Sequence, residues 1–142
     1  MVILLDTNVL SELLKARPAP VVLEWFARQG AETLHVSAVT QVEMLTGARL
    51  LPTGRRRAQL QAALAEMFSQ EFAGRVLPFD AVAAPVYAEI IAERRAAGRP
   101  ISQFDAQIAA IARSRRAQLA TRNRPDFDGC GISVIDPWAA AA

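Results

Sequence analysis

The sequence predicts an α/β domain with a central, mostly parallel sheet, and three features predict it. Short apolar runs alternate along the chain with longer stretches of helical periodicity. The first run, Val2-Ile3-Leu4-Leu5, has no polar alternation, as expected of a strand buried on both faces. The 142 residues, 52 % hydrophobic and 21 % charged, suit one globular domain over 1–142, with no linker, repeat or low-complexity block.

After the strand at 2–5, the polar turn Asp6-Thr7-Asn8 leads into a short helical stretch to about Lys15, broken by Pro18 and Pro20. Val21, Val22, Trp25 and Phe26 then recur at helical spacing up to Gly30. Leu34-His35-Val36 is the second strand. Ser37 is the cap of a helix running to about Leu51, which Pro52 and Gly54 end. From Arg55, the stripe Leu60, Leu64, Met67 and Phe68 marks a long amphipathic helix. The short connection makes these two helices, about 38–70, a hairpin. Arg75-Val76-Leu77 is the third strand, and residues 82–97 form a helix that starts or kinks near Pro85. Ser102 opens the next helix, with Ile108, Ile111 and Ala112 facing inward. Residues 118–121 and 132–135 supply the last strands, separated by a polar loop, and 139–142 form a frayed tail.

Composition narrows the chemistry. A single cysteine, Cys130, forms no internal disulfide, and a single histidine, His35, leaves no second imidazole for a zinc site or a relay. Both are expected to be bystanders. No apolar run approaches the roughly 20 residues that span a membrane, and the first one lacks a basic flank, so a cytoplasmic protein is expected. Net charge is only +2, yet fifteen of the sixteen cations are arginine, with local clusters at 55–57, 94–99, 113–116 and 122–124. Guanidinium suits phosphate contact. Taken alone, these clusters are read first as solvated helix faces and only second as a nucleic-acid footprint.

Three carboxylates distant in sequence stand where an α/β fold brings groups together. Asp6 ends the first strand, while Glu43 and Asp105 lie just inside helices that follow Ser37 and Ser102. Strand C-termini and helix N-termini line one crevice in such sheets. Each acid also has a local explanation, because Thr40-Gln-Val-Glu43 and Ser102-Gln-Phe-Asp105 match the capping box and Asp6 suits an N-cap. Jointly they form a self-repelling cluster that wants a hard cation.

These residues also carry a family resemblance. Leu4-Leu5-Asp6-Thr7-Asn8-Val9-Leu10-Ser11, Ser37-Ala-Val-Thr-Gln-Val-Glu43, Ile101-Ser-Gln-Phe-Asp105-Ala-Gln-Ile-Ala-Ala110 and Thr121-Arg-Asn-Arg-Pro-Asp126-Phe127 stand in order along the chain. They resemble the motifs of PIN-domain ribonucleases, more narrowly the VapC/FitB-type toxins of toxin–antitoxin pairs. The likeness extends to Gly74-Arg-Val-Leu-Pro-Phe-Asp80 and to Asp136-Pro-Trp138. It implies a three-layer α/β/α domain and a Mg²⁺-dependent site, with Mn²⁺ able to substitute. It further implies an RNA substrate, an antitoxin partner that itself binds DNA, and a homodimer.

By position, the resemblance assigns Asp6, Glu43 and Asp105 to the acidic set. It leaves the fourth member open between Asn123, which stands where Asp is frequent, and Asp126. Asp6 and Asp105 are expected to hold the ion directly or through water, with Glu43 orienting or deprotonating the attacking water. Thr7 and Asn8 are expected to support the acids, and Arg122 and Arg124 to hold flanking phosphates. Two other classes compete with this reading. An aspartate-dependent phosphatase of the haloacid-dehalogenase type needs an acid where Asn8 stands, and a non-catalytic interaction domain needs the carboxylates to be caps only. DNA cleavage uses the same chemistry, because nothing in the motifs reads a 2′-hydroxyl.

Overall fold

The apolar run near the start becomes the middle of the sheet. In the computed structural model, which describes residues 1–139, β1 (Ile3–Leu5) is buried at all three positions. β2 (Leu34–Ser37) and β3 (Val76–Leu77) lie on one side of it, and β4 (Gln118–Ala120) and β5 (Val134–Ile135) on the other. The order is β3-β2-β1-β4-β5, and every pairing is parallel. Residues 140–142, most of the tail expected to fray, lie outside the described residues.

Side chains alternate across the sheet and divide the core into two layers. Leu4 and Leu119 pack with Ile90, Ile108 and Ile111 from α5 (Ala83–Ala96) and α6 (Gln103–Ser114). Ile3, Leu5 and Ala120 face the other way. There they meet Val9 and Leu10 of α1 (Thr7–Leu13), Val22 and Trp25 of α2 (Pro20–Arg28), and Leu64. Leu64 belongs to α4 (Arg55–Glu66), which packs on α3 (Ala38–Arg49) as the expected hairpin. The result is the three-layer α/β/α arrangement. α4 continues into a wider π-helical turn over Met67–Glu71, which sets Phe68 and Phe72 into the same layer.

Local chemistry sets the helix starts. Pro20 begins α2, where its missing N–H costs nothing. Pro85 stands in the first turn of α5 for the same reason, and Asp80 Oδ1 accepts from Ala83 N at 3.1 Å. The Ser37 hydroxyl accepts from Thr40 N at 2.9 Å to cap α3, and that of Ser102 accepts from Asp105 N at 3.2 Å to cap α6.

Topology creates the crevice. Successive crossovers go β1 to β2 to β3 on one side, then the chain jumps past β1 to lay down β4. The switch point lies between the C-terminal ends of β1 and β4, where Asp6 N donates to Ala120 O at 2.9 Å. α3 follows a strand and α6 precedes one, and both present their N-termini to this same edge.

Candidate active site

Asp6 caps α1 and is only 5 % exposed, so its carboxylate needs partners. Oδ1 accepts from Thr7 N at 2.8 Å. Oδ2 accepts from the Thr121 hydroxyl at 2.8 Å and from Asn8 Nδ2 at 3.3 Å. Thr121 follows β4 beside Asp6 and is fully buried; its oxygen also accepts from Asn8 Nδ2 at 3.2 Å and Asn123 N at 3.1 Å. Asn8 Oδ1 accepts from Arg122 N at 3.3 Å, which ties the loop after β4 to the start of α1.

Glu43 reaches the site from a full turn inside α3. Because Ser37 takes the cap, Thr40 becomes the third helical residue and Glu43 is released from any backbone duty. The Thr7 hydroxyl lies 3.0 Å from both Glu43 Oε1 and Thr40 Oγ1. With one proton to give, it donates to the carboxylate and accepts from Thr40. Asp105 is the third residue of α6, half-buried beside the Ser102 hydroxyl.

Burial and neighbouring acids shift all three carboxyls the same way. Burial is the main cause that pushes Asp6 up to about 6, against the Thr121 and Thr7 hydrogen bonds, and the charges of Asp105 and Glu43 push it further. Burial also raises Glu43, with the Asp105 charge adding to it. Asp105 is raised by burial and by Asp126, and lowered by Ser102 and Arg94. Among the described residues, none of these three acids forms a salt bridge.

All three open onto a cleft of about 430 Å³, together with Thr7, Asn8, Ser11, Glu12, Lys15, Arg122, Asn123 and Trp138. Asn123 therefore lines the cleft. Asp126 is exposed in the one-turn 3₁₀ helix Arg124–Phe127, near enough to raise Asp105. Arg124 lines a different cavity, with Pro125, Phe127 and Gly129. His35 is also outside the cleft, its Nδ1 donating to Thr33 O at 3.0 Å, and Cys130 is fully buried.

Four contributors were not singled out from sequence. Thr121 stands after β4 as Asp6 does after β1, so its position carried a signal. Glu12 is nearly buried but committed elsewhere: Lys15 Nζ donates to it at 2.8 Å and Ala19 N at 2.9 Å, and these bonds hold its carboxyl below the usual range. Trp138 reaches the cleft rim, where the Arg122 guanidinium lies 5.0 Å over its ring. Arg94, 6 % exposed, turns inward from its cluster. Its Nε donates to Arg99 O at 2.6 Å, and Nη1 donates to Asp126 O at 2.9 Å and Asp128 O at 2.8 Å, stapling the loop that carries Asn123 and Asp126.

The PIN domain family model matches residues 3–128. The chain belongs to the PIN-domain family. It is 43 % identical over 138 residues to the plasmid stability protein StbB of Pseudomonas syringae pv. tomato, covering 97 % of this chain and 99 % of the relative. It is 42 % identical over 139 residues to the VapC ribonuclease Y4jK of Sinorhizobium fredii, covering 98 % and 99 %. A solved structure of FitAB bound to an IR36 DNA fragment superposes with a TM-score of 0.92 at 36 % identity, covering 99 % of this chain and 98 % of that one.

The cleft fits a hard divalent cation by its donor set of carboxylates, hydroxyls and an amide, and by the mutual repulsion that an ion would relieve. Among the described residues, no three His, Cys, Asp or Glu side chains already close around one point. Among the described residues, no helix is long and apolar enough to cross a membrane.

Proposed function

We propose that this PIN-domain protein is a Mg²⁺- or Mn²⁺-dependent endoribonuclease and the toxin of a type II toxin–antitoxin pair, acting in the cytoplasm. The observation that carries this reading is the convergence of Asp6, Glu43 and Asp105 on one cleft, without a salt bridge among the described residues and each raised by burial and by like charge. The name of its relative, VapC ribonuclease, supports the same chemistry.

Asp6 and Asp105 would hold the ion, and Asn123 or Asp126 would contribute from the stapled loop. Bound there, the ion would supply positive charge against the scissile phosphate and acidify a water beside it. Glu43, kept in place by Thr7, would take the proton as that water attacks phosphorus and the opposite P–O bond breaks, the departing ribose oxygen taking a proton from solvent. Thr7, Asn8 and Thr121 fix the Asp6 carboxylate, so little reorganisation is needed during attack. Arg122 would hold a neighbouring phosphate, and Arg124 one further along. The phosphatase alternative loses ground because Asn8 is engaged as a donor to Asp6 and Thr121.

A groove of about 310 Å³ lined by Leu14, Met44, Leu60 and Leu64 shares Thr7, Ser11 and Glu43 with the cleft. It gives an antitoxin segment a route to cover the acids, and the FitAB–DNA complex supports such a DNA-binding partner. Val42, 52 % exposed, and Phe104, 46 % exposed, leave apolar surface for a second copy of the chain. RNA-end sequencing after induced expression tests the activity. New ends bearing one recurring context, absent with Asp6→Asn, are expected; identical ends in both strains would overturn the reading.

A further inference from the structure

The acidic cleft has an aromatic and cationic rim that metal chemistry does not require. Trp138 lines it, and its backbone N–H is pinned by Asp136 Oδ1 at 2.9 Å. The indole is half-buried against the apolar layer that holds Leu5 and Trp25, so its ring is fixed from behind. Arg122 is exposed, and its guanidinium lies 5.0 Å over that ring. Its backbone is fastened in turn to Asn8, which bonds Asp6. One chain of contacts therefore sets a flat, pre-oriented cation at a defined place beside the catalytic acids.

Given the nuclease reading above, on which this inference rests, we propose that Arg122 and Trp138 form a base-stacking subsite for an unpaired nucleobase next to the scissile phosphate. A guanidinium has two separable recognition surfaces. Its N–H edge suits a phosphate, while its plane stacks on a base. Here the guanidinium carbon lies 5.0 Å from the indole centroid, and Arg122 stays exposed where it lines the cleft, open to a base. A lone surface arginine would lose rotamer freedom on stacking, whereas this one is already held. The substrate class that follows is single-stranded or looped RNA, since a base inside a helix cannot present its face.

The test separates base stacking from phosphate attraction and from catalysis. In the wild-type full chain with chelator present, a short oligoadenylate is titrated against an abasic ribose-phosphate oligomer of equal length and charge. Oligoadenylate is expected to bind about tenfold more tightly and to quench tryptophan emission. Trp138→Leu keeps an apolar group in the packed position, and Arg122→Lys keeps the charge without the plane. Each should bring the two affinities together, and Trp138→Leu should do so with abasic binding nearly unchanged. Equal affinities in the wild type, or a preference that survives both substitutions, would overturn the subsite. RNA cleavage by the wild type in Mn²⁺ is scored separately: base-dependent binding without cleavage leaves this subsite standing and sinks the nuclease reading, and cleavage without base dependence does the reverse.

Discussion

The helices α3 and α6 open on the same sequence pattern and fold it differently. In Ser102-Gln-Phe-Asp105 the hydroxyl is the cap and the acid is the third helical residue. In Thr40-Gln-Val-Glu43 the cap role has passed upstream to Ser37, three residues nearer the strand. A hydroxyl that recurs every three residues makes the cap pattern ambiguous, and the one adjoining the strand takes it because the helix can start there at once. Thr40 is then free to bond Thr7, and Glu43 is carried a turn deeper, where Thr7 steadies it. Asp105 stays at its helix end with no side-chain bond to either other acid, and they feel it through charge alone. Asp6 and Glu43 form a pre-wired pair through Thr7, and Asp105 is the arm left free to adjust.

Removing the acids should have the largest effect. Asp6→Asn and Asp105→Asn should each lower RNA cleavage by about a hundredfold or more, with thermal stability unchanged or higher in the metal-free protein. A folded Asp105→Asn protein with full activity would return that residue to a purely capping role.

Asp6 should also make metal-free stability depend on pH. Its folded pKa of about 6 lies above the ordinary 3.8, so folding favours the protonated form. The stability present at pH below the ordinary value is lost as pH rises through 6, by on the order of 3 kcal/mol. Denaturant titrations with chelator between those limits should show the loss in the wild type and a smaller one, left by Glu43 and Asp105, in Asp6→Asn. Added Mn²⁺ should offset it at neutral pH.

Thr121→Val breaks the pre-wired side by removing a buried donor to Asp6. It should lower activity or Mn²⁺ affinity about tenfold to a hundredfold, and a calorimetric affinity equal to wild type would show that the wiring is dispensable. The smallest effects separate the two helix starts. Ser37→Ala and Ser102→Ala should each cost about 1 kcal/mol of unfolding free energy. Glu43→Gln should cost less than about 0.5 kcal/mol, because no backbone N–H depends on it.

The burial of β1 on both faces and the place of Asp6 were legible because the strand is apolar throughout and ends abruptly in a polar turn. The starts of α3 and α6 were legible from Ser37 and Ser102. Other features were not, for a common reason: their partners are remote in sequence. Thr121 meets Asp6 across the switch point, and Arg94 faces inward only because the loop at 124–130 brings carbonyls to it. Arg122 acquires its orientation from Trp138, which joins the cleft only once β5 is in place. The arginine clusters looked alike in sequence, and folding separates the buried staple at Arg94 from the exposed plane at Arg122.

The most direct test of the central claim is an anomalous difference map from crystals of the wild-type protein soaked in Mn²⁺. A peak between the Asp6 and Asp105 carboxylates, within water-mediated reach of Glu43, is the predicted result. An empty cleft at saturating Mn²⁺, or a peak held by Glu12 and Lys15's side of the cleft alone, would contradict it.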